Sequence, residues 1–178
     1  MADAPQLHFR PLAHDDLALL QRWLNNDFVA RWWPGWPSLE QVRARYAPRI
    51  EGTEPTKCFI IELDATASGF IQHYCVSDDP NLCPLIEQPE CARGIDLFLG
   101  DRTYAYRGLG PRIIRRFLRE VVFDSATKLC MIDPAQNNRA AIQAYKKVGF
   151  HYLTTIHDPR ELQPAYVMML RREEFSDE

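Results

Sequence analysis

A short glycine-containing segment is the first place where the sequence points to chemistry. Arg107, Gly108, Leu109, Gly110 and Pro111 lie between a predicted strand and a predicted amphipathic helix. Glycines in such a place let the backbone approach an anion, and the free N–H groups of the helix point towards it. Two glycines before a helix also occur in plain turns, so the segment alone leaves both interpretations open. We expect Pro111 to be the first helical residue, where its missing N–H costs nothing.

The same segment lacks the features of two common nucleotide-binding motifs. A Walker loop continues from its glycines with Gly-Lys-Ser or Gly-Lys-Thr. This chain instead continues with Gly110, Pro111 and Arg112. A dinucleotide fingerprint needs a third small residue, and Ile113 occupies that position. Both nucleotide interpretations are therefore excluded.

A second motif follows in the next predicted helix. The spacing N-x-x-A-x-x-x-Y-x-x-x-G-F is formed by Asn138, Ala141, Tyr145, Gly149 and Phe150. Together with the glycine segment, it resembles the GNAT superfamily of acyl-CoA-dependent N-acetyltransferases. The resemblance implies a GNAT fold with acetyl-CoA as co-substrate.

The resemblance also implies where the co-substrate binds. The usual Gln or Arg three residues before the first glycine is Ala105 here, so backbone N–H groups are expected to hold the pyrophosphate. Backbone N–H groups of Leu97 and Leu99 are the candidates to meet the oxyanion of the reaction. The predicted cofactor-binding residues are Leu97, Leu99, Arg107, Gly108, Leu109, Gly110, Pro111, Arg112 and Asn138.

Further segments look like those of aminoglycoside 6′-N-acetyltransferases. They are Trp23-Leu24-Asn25, Trp32-Trp33, Gln72-His73-Tyr74, Arg93-Gly94-Ile95-Asp96, and Asp133-Pro134 with Asn137 and Asn138. The implied reaction moves an acetyl group to the 6′-amine of an aminoglycoside, which gives antibiotic resistance. The same core is similar to acyltransferases that modify a lysine-type or N-hydroxylysine amine in siderophore assembly. A catalytically silent module that binds acyl-CoA or aminoglycosides is the alternative from another class.

Two residues are predicted to carry the proton transfers of this reaction. An alkylammonium acceptor has a pKa near 10, so it arrives protonated, and a nearby carboxylate can attract it and pass its proton onward. Asp96 is the lone charge in an apolar strand, and the resemblance implies that it holds the reacting amine. The resemblance implies that the hydroxyl of Tyr145 protonates the leaving thiolate. An outward-facing strand aspartate and a core tyrosine are the structural alternatives.

Acidic and aromatic residues are the candidates for binding a polycationic acceptor. The stretch from Tyr74 to Ala92 has no Lys or Arg but contains Asp78, Asp79, Glu87 and Glu90. With Asp96 and Asp133 these side chains could line a negative cleft, although charged loops are often merely solvated. The predicted substrate-binding residues are Trp32, Gln72, Tyr74, Glu87, Asp96 and Asp133.

The tryptophans and the strand around Gln72 allow two further predictions. Trp32, Trp33 and Trp36 either stack on sugar rings or hold their loop to the core, and we favour Trp32 as a wall of the site. Gln72 and Tyr74 face one side of their strand because side chains alternate, so His73 faces the other and is expected to be structural.

Composition excludes several other classes of protein. The chain has 178 residues, of which 46% are hydrophobic, and we expect a single GNAT domain over residues 1–178. A net charge of −3 argues against nucleic-acid binding. Five cysteines without a C-x-x-C pair favour reduced thiols in the cytoplasm and disfavour structural zinc and a catalytic cysteine. No metal and no membrane span are expected, and the protein is predicted to be a monomer or a homodimer.

Local patterns predict a mixed α/β fold, an α+β mixed sheet flanked by helices. Strands are predicted over residues 7–12, 58–63, 69–76, 95–99, 128–132, 150–156 and 166–170. A helix capped by residues 14–16 buries Leu17, Leu20, Trp23 and Leu24. A second helix begins at Ser38 and runs to about Tyr46, stopped by Pro48. Two later helices carry the apolar stripe of residues 113–122 and the segment 137–148, which Gly149 closes.

Overall fold

The computed structural model describes residues 5–33, 38–104, 107–124, 126–157 and 163–176. Trp36 and Ala105, which the sequence analysis singled out, lie outside these ranges. The chain forms two compact units, Met1–His73 with Asp96–Arg107 and Tyr74–Ile95 with Gly108–Glu178. A single domain over residues 1–178 stays a prediction.

Helices and strands of the described residues follow one another along the chain without repeats. The strands are β1 (Leu7–Pro11), β2 (Lys57–Leu63), β3 (Thr66–Cys75), β4 (Ala92–Leu99), β5 (Leu129–Ile132), β6 (His151–Ile156) and β7 (Ala165–Arg171). The helices are α1 (Leu17–Leu24), α2 (Asp27–Ala30), α3 (Leu39–Ile50), α4 (Leu109–Phe117) and α5 (Arg139–Val148). Three short 3₁₀ turns occupy the segment between β3 and β4 that the sequence predicted to be irregular.

The described strands form one mixed sheet in the order β1-β2-β3-β4-β5-β7-β6. β4 and β5 run parallel, whereas the pairs β1–β2, β2–β3, β5–β7 and β6–β7 are antiparallel. The predicted mixed sheet flanked by helices is therefore confirmed. Among the described residues, no helix is long and apolar enough to cross a membrane.

The first unit contains the predicted hairpin and the predicted helix face. Asp64 and Ala65 have φ values of 51° and 60°, so the two-residue turn between β2 and β3 adopts the left-handed conformation that matches the twist of a hairpin. The predicted inward side chains of α1 are all buried: Leu17, Leu20, Trp23 and Leu24. They pack with Val42, Ile60 and Phe70 into one hydrophobic cluster.

Asp16 does not cap α1 with its side chain, which corrects one prediction. Its carboxylate accepts hydrogen bonds from Arg10 Nη1 at 2.6 Å, Arg10 Nη2 at 2.8 Å and the Ala13 N–H at 2.9 Å. The two-pronged guanidinium competes better for the carboxylate than a single backbone N–H does. Burial alone raises the pKa of Asp16, but these hydrogen bonds outweigh it and hold the pKa below its usual value.

Pro48 does not stop α3, which runs to Ile50 and includes it. Proline removes one backbone donor, and near the C-terminal end of a helix only one intrahelical bond is lost while the chain still turns. The Pro48 carbonyl then accepts from the backbone N–H groups of Thr53 and Glu54, which closes the helix end. The predicted capping box of Ser38 and Gln41 at the other end is confirmed.

The second unit contains the helix pair α4–α5, and two helix starts differ from prediction. α4 begins at Leu109 with Gly108 as N-cap, so Pro111 is its third residue and not its first. The first four N–H groups of a helix have no intrahelical partner, so proline is tolerated there as well. α5 begins at Arg139, two residues later than predicted, because Asn138 acts as its cap. Gly149, with φ 113°, ends α5 as predicted.

We predict that Asp16→Asn lowers the thermal unfolding temperature because it removes the charge that Arg10 binds. Losing charged hydrogen bonds of this kind costs about 2 kcal/mol, or about 4–8 °C for a chain of this size. Since folding lowers the pKa of Asp16, its contribution is full above the unfolded pKa of about 3.9 and is lost as the pH falls through the folded pKa.

Thermal scans at pH 7 and at decreasing pH test this. The gap between wild type and Asp16→Asn should be wide at pH 7 and should shrink below about pH 4. Asp15→Asn, at the exposed position directly before Asp16, is the control and should have the same unfolding temperature as the wild type. A gap that stays constant with pH would contradict the assignment.

Candidate functional site

Asp96 and Gln72 are brought together in the first unit. Asp96 lies partly buried on β4, and Gln72 on β3 is 7% exposed. Gln72 Nε2 donates a hydrogen bond to Asp96 Oδ2 at 2.8 Å. Asp96, flanked on its strand by the apolar residues Ile95 and Leu97, is therefore held by a buried amide and is not simply an outward-facing strand aspartate.

Arg49 is a residue that the sequence analysis missed. It lies on α3 with its side chain 5% exposed, and Nη1 donates to Gln72 Oε1 at 2.8 Å. The sequence did contain a signal, because Val42, Tyr46 and Arg49 share one buried helix face at helical spacing. A charged residue in an otherwise apolar helix face is rarely buried unless it is paired with another polar or charged group.

The tryptophans of the first unit divide between two roles. Trp33 packs edge-to-face on Phe70 and Phe98, at centroid distances of 5.9 and 5.1 Å, so it belongs to the core. Trp32 is partly buried, and the guanidinium of Arg31 lies 4.9 Å from its ring centroid. One ring face of Trp32 is thus already covered by a cation. Its role as a wall of the site stays a prediction.

β4 continues beyond its pairing with β5. The parallel ladder joins Ala92, Arg93 and Gly94 to β5, and Ile95–Leu99 extend past it. Leu97 and Leu99, the candidates for an oxyanion contact through their N–H groups, belong to this extension. Gly69 on β3 packs against it so closely that a Cβ there would meet the Phe98 carbonyl oxygen.

The glycine loop of the second unit has the geometry of a helix start. Gly108 has φ 75°, a left-handed conformation that favours glycine, and it precedes the free N–H groups of the first turn of α4. Gly110 faces α5, where a Cβ would lie 3.5 Å from the Ala144 Cβ. Arg107 and Arg112 flank the loop with exposed side chains. Arg107 belongs to the first unit, whereas Arg112 lies on α4, where a cation close to the N–H groups of the first helical turn forms a surface suited to anions.

Tyr145 and Asn138 both lie on α5. Tyr145 is 7% exposed, and its ring packs edge-to-face on Phe150 at 6.0 Å between centroids. Asn138 Oδ1 accepts the N–H of Ala141 at 3.2 Å, which makes it the N-cap of the helix. The structure gives Asn138 a local role, and its role in cofactor binding stays a prediction.

The Tyr74 ring contacts Gly94 on the neighbouring strand β4. A Cβ on Gly94 would overlap the Tyr74 ring, so the ring occupies the space that a side chain at position 94 would need. Tyr74 and Gln72 fall in different units. His73 stacks on Phe59 with 6.1 Å between ring centroids, in line with its expected structural role.

The acidic segment is less available than its sequence indicates. Asp79 Oδ1 accepts the N–H groups of Asn81 and Leu82, so this carboxylate closes a local turn. Glu87 is exposed and lines an open groove together with Lys128 and Arg171. Asp133 is partly buried just after β5. Glu87 therefore has cationic neighbours that the local sequence does not reveal.

Within the described residues, no group of three or more His, Cys, Asp or Glu side chains is placed to hold a metal ion. The five cysteines, all described, are free thiols. Burial raises the pKa of the Cys58 thiol to about 11, so it stays protonated near neutral pH.

Comparison with known proteins identifies the family. Residues 13–157 match the sequence profile of the acetyltransferase (GNAT) domain, so the chain belongs to the GNAT acetyltransferase family. It is 29% identical over 169 residues to aminoglycoside N(6')-acetyltransferase type 1 of Klebsiella pneumoniae, which covers 93% of this chain and 83% of that protein.

Solved structures show the same fold. The crystal structure of aminoglycoside acetyltransferase AAC(6')-Ib in complex with coenzyme A and kanamycin superposes with a TM-score of 0.84 at 28% identity, covering 95% of this chain and 96% of that one. The structure of AAC(6')-Ib with ribostamycin and coenzyme A has a TM-score of 0.86 at 28% identity, covering 97% and 99%. The predicted family, fold class and acetyltransferase activity are confirmed.

We predict that Gly94→Ala destabilises the second unit because its methyl group enters the space of the Tyr74 ring. Overpacking of this kind costs about 1–3 kcal/mol. Gly110→Ala is the matched control, since its methyl meets Ala144 only at ordinary contact distance. Thermal unfolding measures both variants, and equal melting temperatures would show that Tyr74 is not held against Gly94.

Proposed function

We propose that this protein transfers the acetyl group of acetyl-CoA to the 6′-amine of an aminoglycoside and so gives resistance to such antibiotics. The observation that carries the proposal is the similarity to an aminoglycoside N(6')-acetyltransferase over 93% of the chain. The AAC(6')-Ib structures of the same fold contain coenzyme A with kanamycin or ribostamycin. The hydrogen-bonded Asp96 carboxylate adds a group with the right chemistry.

Asp96 receives the acceptor in this proposal. The ammonium group of an aminoglycoside is attracted to the carboxylate, which accepts its proton and frees the nitrogen lone pair. The amine nitrogen attacks the thioester carbonyl carbon, a C–N bond forms, and the C–S bond then breaks. The attacking nitrogen releases its second proton to solvent as the amide forms. The products are the N-acetyl aminoglycoside and coenzyme A, whose thiolate takes a proton from the Tyr145 hydroxyl.

Backbone groups stabilise the charge that develops during the attack. The carbonyl oxygen becomes an oxyanion, and the N–H groups of Leu97 and Leu99 are the proposed donors. Both lie on the part of β4 that runs beyond its ladder with β5, which supports the assignment. Preorganised donors cost no reorganisation at the moment of reaction.

The glycine loop and its two arginines hold acetyl-CoA in this proposal. N–H groups of Gly108, Leu109 and Gly110 face the pyrophosphate, and Pro111 shapes the turn without donating. Arg107 and Arg112 add positive charge for the phosphates. Asn138 already uses Oδ1 to cap α5, so a contact with the cofactor comes from its Nδ2.

The remaining proposed contacts belong to the acceptor. Trp32 and Tyr74 offer aromatic faces to sugar rings, while Gln72, Glu87 and Asp133 offer polar groups. The free thiols favour a reducing cytoplasm, where acetyl-CoA is available. A monomer or a homodimer is proposed as the state in solution.

The first experiment follows thiol release from acetyl-CoA with kanamycin, ribostamycin and N6-hydroxylysine as separate acceptors. We expect release with the aminoglycosides and one added acetyl mass at the 6′-amine. Release with the hydroxylysine alone would assign the protein to siderophore-type acylation. Coenzyme A binding without release from any acceptor would favour a silent binding module.

We predict that Asp96→Asn lowers kcat for kanamycin at least 100-fold, since an amide cannot accept the proton of the amine. Acetyl-CoA affinity should change less than threefold. Asp101→Asn is the control, because its side chain caps a turn at Thr103 N and asparagine does the same. Unchanged turnover of Asp96→Asn at saturating substrates would remove Asp96 from the mechanism.

We also predict that Gly110→Asp raises the Kd for coenzyme A at least tenfold, because a carboxylate in the loop repels phosphates and crowds Ala144. Gly52→Asp is the charge-matched control: it lies on the turn after α3, with φ 77° and open space around it. Calorimetry measures both. Equal affinities would mean that the loop is only a turn.

A further inference from the structure

Arg49 has a position that suits a positioning residue and not a surface ion pair. Its residue exposure is 8%, it lies on the last turn of α3, and its guanidinium lies 5.3 Å from the centroid of the Tyr46 ring. One edge of the guanidinium binds Glu54, through Nε to Oε2 at 2.9 Å. The other edge binds Gln72, through Nη1 to Oε1 at 2.8 Å.

The amide of Gln72 has a donor end and an acceptor end, and Arg49 decides which way it points. A guanidinium has only donors, so it can bind the amide oxygen and not the amide nitrogen. The Cys58 thiol, directly opposite Gln72 in the β2–β3 ladder, also lies 3.6 Å from Oε1. Burial raises the pKa of Cys58 to about 11, so this thiol keeps its proton and is a donor too. Two donors on one side fix Oε1 there.

The consequence appears at the other end of the amide. With Oε1 held by Arg49 and Cys58, Nε2 must point to β4, where it donates to Asp96 Oδ2 at 2.8 Å. The reversed amide would place an oxygen against a carboxylate oxygen and an N–H group against the guanidinium. Both contacts are repulsive, so one buried arginine sets the orientation of the whole chain of hydrogen bonds.

We infer that Arg49 is a positioning residue for acetyl transfer, because it orients the Gln72 amide so that this amide holds the Asp96 carboxylate in place. In this assignment Arg49 acts through the amide of Gln72 and not on the reacting atoms. The inference rests on the proposed function, in which Asp96 accepts the proton of the amine. Glu54 occupies the other edge of the guanidinium and takes no part in orienting the amide.

The test compares variants that remove the whole guanidinium with one that disturbs only its Glu54 partner. Arg49→Met keeps the length of the side chain and removes all donors, and we expect kcat for kanamycin to fall at least tenfold while coenzyme A affinity stays within twofold. Arg49→Lys restores one donor to Oε1 and should recover part of kcat. Glu54→Gln disturbs the ion pair but leaves Gln72 bound, so it should keep kcat within twofold.

A double-mutant cycle on kcat separates positioning from general destabilisation. If Arg49 acts through Gln72, then adding Arg49→Met to Gln72→Leu lowers kcat no further. A full additional loss in the Gln72→Leu background would overturn the inference. So would a kcat for Arg49→Met within twofold of the wild type in protein whose unfolding temperature shows that it is folded.

A spectroscopic readout keeps the inference separate from the proposed function. The side-chain amide hydrogens of Gln72, assigned by NMR, should exchange slowly in wild type and Glu54→Gln and rapidly in Arg49→Met. Equal exchange in all three would overturn the inference. A wild type that acetylates no aminoglycoside contradicts the proposed function alone, and the exchange rates still decide whether Arg49 orients the amide.

Discussion

A partly buried carboxylate needs hydrogen-bond donors to replace the water that it has lost. Asp96 on β4 receives one such donor from the side chain of Gln72 on β3. The donor is a neutral amide, which stabilises the carboxylate without adding a positive charge beside it. A lysine or arginine in its place would compete with an incoming ammonium group. The positive charge of Arg49 stays one residue further away and is paired with Glu54.

Close approach of backbone and side chains is a second constraint, and glycines make it possible in both units. Gly69 lets β3 pack against the backbone of the β4 extension, and Gly94 leaves room for the Tyr74 ring. Gly108 alone among the site glycines needs a left-handed conformation. A side chain at Gly69 or Gly94 would overlap its neighbours. These glycines therefore determine how closely the strands and side chains pack, and they supply no chemical group to the site.

Patterns that depend on neighbours in sequence predicted much of this structure. The hairpin turn at Asp64 and Ala65, the buried face of α1 and the cap at Gly149 follow from local rules, and the spacing around Tyr145 pointed to the GNAT family. One error arose where a distant group decides. Asp16 binds Arg10 of β1 and not the helix that it precedes.

Arg49 shows the same limit in the site itself. Its position in an apolar helix face indicates that it has a polar partner. That partner, Gln72, lies on β3, 23 positions further along the chain. Only the fold brings the two together. Asp96 was recognisable because apolar residues flank it along the chain, whereas the residues that hold it are visible only in three dimensions.

Selectivity for a polycationic acceptor depends on which acidic groups keep their charge available. The carboxylate of Asp79 closes its own turn, and Glu87 lines a groove that also contains the cations Lys128 and Arg171. Exposed charges act over only about 8 Å at physiological ionic strength. In the proposed reaction the acidic segment therefore helps to collect cations, but it cannot choose one amine among several. That choice needs a charge at contact distance with a fixed direction, and an oriented Asp96 carboxylate meets both conditions.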